Sequence, residues 1–416
     1  MTKRQTARAA IARAALGLLV LGAAGLLFWL ARGGASGPGE GPAAEGEPAV
    51  AARALGERRP AAEAPHAAPI DIQSLEGVEL RWVEHNNGAL QLLADGDLAG
   101  AVAAFEECHA AEPERMVFRR NLAEALVRLS HREHDEERAF EAAVSHLERA
   151  VVLAPDREDV ETLRAVLDRW KEEWDLSRTH TTELSAYFEV SYDAARDDIL
   201  RHSQTAIDFL DAAYADMAEW FVADPVLHDG RPKFRVVFYN HAEFDRMTGI
   251  GDWAGGVFDG TIRVSVEHLS EEVERWGRTL RHELVHAFVR EVGGDSVPAW
   301  LNEGLAQFLD TSIHPNPHRA ETVRQTRERL RGADLFPLAE LGGSLATWTD
   351  TKEIARAYAQ SLALVDFVVR QYGAEALRRM LAGERDGTGA AEAFRAWSGG
   401  IALDEVLGFL RSDLAR

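Results

Sequence analysis

Hydrophobic and polar positions divide the chain into stretches of different pattern. Residues Ala14 to Ala31 are uncharged and mostly Leu, Ala, Gly and Val, bracketed by Arg13 and Arg32. As a helix this run rises about 27 Å, enough to cross a hydrocarbon core. From Gly33 to about Pro69 Gly, Pro, Ala and Glu dominate without apolar periodicity, which predicts a disordered tether. Helical periodicity holds from about Glu79 to Trp174. Beyond Glu183 alternation sets in. Tyr187–Tyr192 and Phe234–Tyr239 read as strands around a helix from Asp198 to about Phe221, with apolar positions at Ile199, Ile207, Leu210, Tyr214 and Met217. A loop is expected from Trp253 to Gly256, then a hairpin between Val257 and Val266 that turns at Asp259-Gly260. The segment from Ala374 to Arg416 reads as helical without a functional signal.

The flanks of the first run orient it. Lys3, Arg4, Arg8 and Arg13 precede it, and the following stretch turns acidic, so the positive-inside rule keeps the N-terminus in the cytoplasm. The expectation is a single-pass anchor over residues 1–32 in the inner membrane, with the bulk of the chain on the periplasmic side. The alternative is a signal peptide cleaved near Gly33 to Ala35, giving a secreted protein. No cysteine is present there for lipid attachment.

The helical stretch contains a repeat. Ala89-Leu90-Gln91-Leu92-Leu93, Gly96-Asp97, Ala101, Phe105 and Pro113 resemble a tetratricopeptide unit, in which small residues let two helices approach and proline ends the second. Ala123 lies one such period after Ala89, and Ala143, Leu147, Ala150 and Pro155 form a second unit. Extra residues are expected at the polar stretch Ser130 to Arg138, with His131 and His134 in a solvated loop. A helix from Asp156 to about Trp174 would cap the stack. A generic helical bundle is the other reading. Either would bind or position a protein partner.

Composition narrows the chemistry. The formal net charge is −22, which repels phosphate backbones and argues against a nucleic-acid partner. Cys108 is the sole cysteine, so an intramolecular disulfide and a cysteine zinc knuckle are excluded and any metal site must use His, Asp and Glu.

Such a set is present. Ser270 is placed to cap a helix from Glu271 to about Val292, ended by Gly293-Gly294, and this helix contains His282-Glu283-Leu284-Val285-His286. Residues four apart share a face, so both imidazoles can reach one ion, and Glu283 on the neighbouring side can hold the attacking water. Leu280, Leu284, Val285, Ala287, Phe288 and Val289 make the segment apolar nearly all round. Polar groups buried there are costly unless something satisfies them, and a metal does so. A second helix follows over Pro298–Leu309, placing Glu303 as a third ligand, and Ala306 permits close packing.

HELVH followed by WLNEGLAQFL resembles the gluzincin metallopeptidases, which pair HExxH with a downstream glutamate, and especially the small bacterial peptidase MA-like members. The resemblance covers roughly Tyr187 to Gly373. It implies that Zn2+ is bound by His282, His286 and Glu303, and that Glu283 is the general base. It also implies a tyrosine or histidine at the oxyanion, for which Tyr358, opening the helix to Gly373, is the candidate. Asp310 could orient a ligand histidine. The Gly255–Val266 region could offer a sheet edge on which an extended polypeptide substrate pairs, as in that clan.

The expected fold class is therefore α+β, in the order transmembrane helix, tetratricopeptide-like all-α domain and zincin-like metallopeptidase domain. The expected divisions are 1–32 anchor, 33–72 linker, 75–178 repeats and 183–416 peptidase. The expected function is a membrane-anchored zinc peptidase hydrolysing peptide bonds in exported or envelope polypeptides. Two alternatives stand beside it: an inactive envelope scaffold that keeps its zinc site, and a structural zinc closed by His314 or His318 from a Pro/Asn-rich loop.

Overall fold

The computed structural model describes residues 80–227, 230–248, 255–265, 273–345, 348 and 350–416. The apolar run Ala14–Ala31, the tether and the Ser270 cap lie outside them. Among the described residues no helix is long and apolar enough to cross a membrane. The chain divides into two compact units, Glu57–Thr179 and one containing His180–Arg416.

The described residues of the first unit form helices: α1 (Leu80–Ala94), α2 (Leu98–Ala111), α3 (Met116–Arg132), α4 (Phe140–Leu153) and α5 (Val160–Ser177). Each helix packs on the next. Small buried residues allow this, with Ala89, Ala101, Ala123, Ala143 and Ala150 all at 0–1% exposure. Asp97 caps α2 by accepting from the Gly100 N–H. Asn121 donates to Asn86 at 2.9 Å, joining α3 to α1 inside the core.

The stretch after α3 departs from expectation. Glu133–Glu137 form a π-helical turn, closed by Arg138 at φ 57°. His134 is not solvated: it is buried and stacks on Trp170 at 4.2 Å, while His131 meets the same ring edge-on. The ring nitrogens of His134 meet Asp135 at 2.8 Å and Glu173 at 3.2 Å. Burial opposes charge on this ring, but the two carboxylates outweigh it and raise its pKa. Paired carboxylates are what make the buried position tolerable, and sequence spacing does not show them.

The second unit is helix-rich around a small sheet, compatible with the α+β class. Its strands are β1 (Thr181–Leu184), β2 (Phe188–Tyr192), β3 (Phe234–Tyr239), β4 (Gly256–Phe258) and β5 (Ile262–Ser265), in the order β1-β2-β3-β5-β4. β2, β3 and β5 run parallel, and the edge strands β1 and β4 are antiparallel to their neighbours. Gly260, at φ +105°, makes the β4–β5 turn. Alternation in β2 buries Phe188, Val190 and Tyr192 against helices. The helix α6 (Asp197–Phe221) crosses from β2 to β3, and α7 (His241–Thr248) follows β3.

The remaining helices are α8 (Val273–Gly293), α9 (Ala299–Leu309), α10 (Pro317–Leu330), α11 (Thr351–Tyr372), α12 (Ala374–Arg385), α13 (Ala390–Trp397) and α14 (Leu403–Leu414). His318 therefore stands on a helix, capped by Asn316, rather than in a loop. α8 packs against α6, α9, α12, β4 and β5, and α9 packs against α11. Gly304 sets the α9–α11 approach, since a Cβ there would lie 2.6 Å from both the Ser361 carbonyl oxygen and Val365 Cγ2. For Gly304→Ala we expect a loss of about 1–3 kcal/mol in stability from overpacking. It is read from the urea midpoint.

Candidate metal centre

His282 and His286 stand one turn apart on α8, and Glu303 reaches them from α9. The Glu303 carboxylate lies 3.8 Å from His282 Nε2 and 3.7 Å from His286 Nε2. Ligand atoms of all three lie within 4.8 Å of one another, and among the described residues they form the single group of that kind. An ion with bonds of about 2 Å spans such spacings. Three ligands from two helices leave a coordination position open, as hydrolytic zinc sites do. His314 and His318 are exposed and stand outside the cluster, so no fourth protein ligand closes it among the described residues.

The donor chemistry fits a metal. His286 Nδ1 is 2.8 Å from Asn302 Oδ1, so a ring N–H there donates to the amide oxygen and leaves the Nε2 lone pair for the cluster. His282 is buried and its Nδ1 has no hydrogen-bond partner. Burial first, then His286 and Arg278, hold its pKa well below the usual value, so the ring is neutral, the form that binds metal.

Glu283 points to the neighbouring side and is 4% exposed. Burial raises its pKa to about 7, and a hydrogen bond from the Phe258 backbone works in the opposite direction. That bond ties β4, the edge of the sheet, to the HExxH glutamate. Gly256 makes the approach possible, since a Cβ there would lie 2.9 Å from Thr279 Cγ2 and 3.1 Å from Glu283 Cγ.

Tyr358 lies in the second turn of α11, and its hydroxyl hydrogen-bonds Glu303. Burial, then the neighbouring Glu303 and Glu283, raise its pKa well above the usual value, so it remains a donor. Gln307 holds the two helices in register by donating to the backbone oxygens of Glu303 and Tyr358, each at 3.1 Å. The structure thus brings all five predicted site residues together.

Asp310 behaves differently from expectation. It accepts from Arg278 Nη2 at 2.7 Å, and because His282 Nδ1 is unpartnered and His286 Nδ1 meets Asn302, it orients neither ligand. A guanidinium compensates a buried carboxylate better than a neutral imidazole does. Asn302, Gly256 and Gly304 escaped the sequence reading. Asn302 and Gly304 flank Glu303 directly, which was a usable signal.

The raised pKa of Glu283 has a testable consequence for metal-free protein. A carboxyl whose folded pKa exceeds its unfolded value binds protons more tightly when folded, so stability declines as pH rises from about 4.5 to about 7. Urea titrations across that range are expected to show the decline, and a shallower one in Glu283→Gln.

Two comparisons with known proteins bear on this site. No curated protein matches the chain. Residues 235–405, from β3 into α14, match the family model of the Peptidase MA superfamily. The matched stretch carries β4, both ligand helices and Tyr358, and it supports a zincin-like peptidase domain in this part of the chain.

Proposed function

We propose that this protein is a zinc-dependent peptidase that hydrolyses peptide bonds in exported or envelope polypeptides. One observation carries the reading: a His282–His286–Glu303 cluster, with His282 buried, lies beside a buried glutamate that is bonded to the edge strand β4. His282, His286 and Glu303 would hold the zinc. When bound, the ion supplies Lewis acidity toward a carbonyl oxygen and makes water more acidic.

The chain's own residues do the rest. An extended substrate pairs with the outer edge of β4. Glu283 takes a proton from the attacking water and passes it to the leaving amine. The Tyr358 hydroxyl donates to the oxyanion, turning from Glu303 when substrate arrives. The tetratricopeptide-like sequence pattern over α1–α5 would serve a protein partner or substrate, as stacked helical repeats do. The Ala14–Ala31 run with its basic flank supports anchoring at the inner membrane, with the catalytic unit outside the cytoplasm. Retention of a buried Glu283 beside the ligand set speaks against an inactive scaffold.

Zinc content and cleavage of casein or a peptide library test the reading. Wild type is expected to hold one zinc per chain and to cleave. Glu283→Gln should keep the zinc and lose about 100- to 10,000-fold in kcat. Zinc without cleavage by wild type would move the protein to the scaffold reading, and absence of zinc binding would remove the site. Tyr358→Phe should lower kcat by about 100- to 1,000-fold with KM little changed, if the hydroxyl acts on the oxyanion.

A further inference from the structure

The ligand face of α8 carries one more functional group. Arg278 precedes His282 by four residues, as His286 follows it by four, so the three share a face. A helical turn is about 5.4 Å, so Arg278 stands one turn before His282 on that face. Asp310, itself 3% exposed, accepts from Arg278 Nη2 at 2.7 Å. A guanidinium has five N–H donors. Asp310 is the one hydrogen-bond partner of Arg278 among the described residues, and Nε has none. The Arg278 side chain is nonetheless 31% exposed.

Arg281 on the same helix shows the contrast. It pairs with Asp216 on α6, lies over the Phe209 ring and is 12% exposed, so its charge joins two helices. Arg278 is fixed from behind by a buried carboxylate, and its side chain stays part-exposed although Nε itself is buried. Such an arrangement is an anion receptor held in place in advance.

Strand direction locates it relative to a substrate. Along β4, Gly256 lies against Thr279 and Glu283, Phe258 meets Glu283, and Gly260 at the turn lies against Arg290. β4 therefore runs the same way as α8. A peptide pairing antiparallel with β4 runs the other way, from the Arg290 end toward the Thr279 end. Its C-terminal part then lies at the Arg278 end of the metal site. Strands advance about 3.3 Å per residue, so one helical turn corresponds to the first or second residue after the scissile bond. At the opposite end Arg290 is paired with Asp295.

We propose that Arg278 binds a carboxylate of the substrate located one or two residues to the C-terminal side of the scissile bond. The proposal rests on the peptidase reading above. The carboxylate is either the free C-terminus of the peptide or an Asp or Glu side chain.

The test uses full-length, zinc-loaded protein and peptides matched in sequence. Glu or Gln occupies the first or second position after the cleaved bond, and each peptide is made with a free or an amidated C-terminus. Wild type is expected to favour the carboxylate form by roughly 10- to 100-fold in kcat/KM, chiefly through KM. Preference for the free terminus over the amide, or for Glu over Gln, identifies the source. Arg278→Gln should bring the acid-to-neutral ratio to within a few-fold of one, and Arg278→Lys should restore part of it. Because Arg278→Gln leaves Asp310 buried without its partner, the double variant with Asp310→Asn removes both charges together and should show the same collapse. Equal cleavage of acidic and neutral peptides by wild type, or a preference that survives in the double variant, overturns the assignment alone. Failure of wild type to cleave any peptide overturns the peptidase reading and this assignment with it.

Discussion

Polar groups buried at the junction of α8, α9 and α11 set the terms for everything around them. His282, Glu283 and Glu303 sit in helical segments whose neighbours are Leu280, Leu284, Val285, Leu301 and Leu305, all fully buried. Removing such groups from water is costly unless partners replace the lost hydration. The shifts follow from that cost: both carboxyls are pushed toward protonation and the imidazole toward neutrality. A cation placed among them reverses the penalty, because it favours the deprotonated acid and uses the free imidazole lone pairs.

The histidines of the helical unit show the other way to solve the same problem. His134 is as buried as His282, yet both its ring nitrogens meet carboxylates and its face rests on Trp170. His146 likewise meets Glu133 at 2.7 Å. Nearby, Arg157 pairs with Glu124 and Asp159. Charges there compensate one another, leaving no demand for an ion. At His282 Nδ1 has no hydrogen-bond partner and Nε2 faces the Glu303 carboxylate at 3.8 Å, so no pair of carboxylates closes around the ring as at His134.

Close approach turns this chemistry into a site. Gly304 lets α11 lie directly on α9, which puts Tyr358 on Glu303, and Gly256 lets the sheet edge lie directly on α8, which puts the Phe258 N–H on Glu283. Side chains at either glycine would push a wall of the site outward. The same short distances set β4, the last strand of the sheet among the described residues, directly on Glu283 through Gly256 and Phe258.

Periodicity and local chemistry were enough to find what depends on neighbours in the chain. The strand Phe234–Tyr239, the hairpin turning at Asp259-Gly260, the α6, α8 and α9 segments and the His282–Glu283–His286 spacing all follow from residues a few positions apart. Glu303 and Tyr358 were also legible, through their apolar helical settings and the family resemblance. Contacts between distant segments were not. No local pattern announces that Asp310 faces Arg278 rather than a ligand histidine, that Glu173 and Asp135 close around His134, or that β1 adds an outer strand at Thr181–Leu184. Those pairings are chosen by which charges the packed helices strand together away from water, and that choice exists only once the chain has folded.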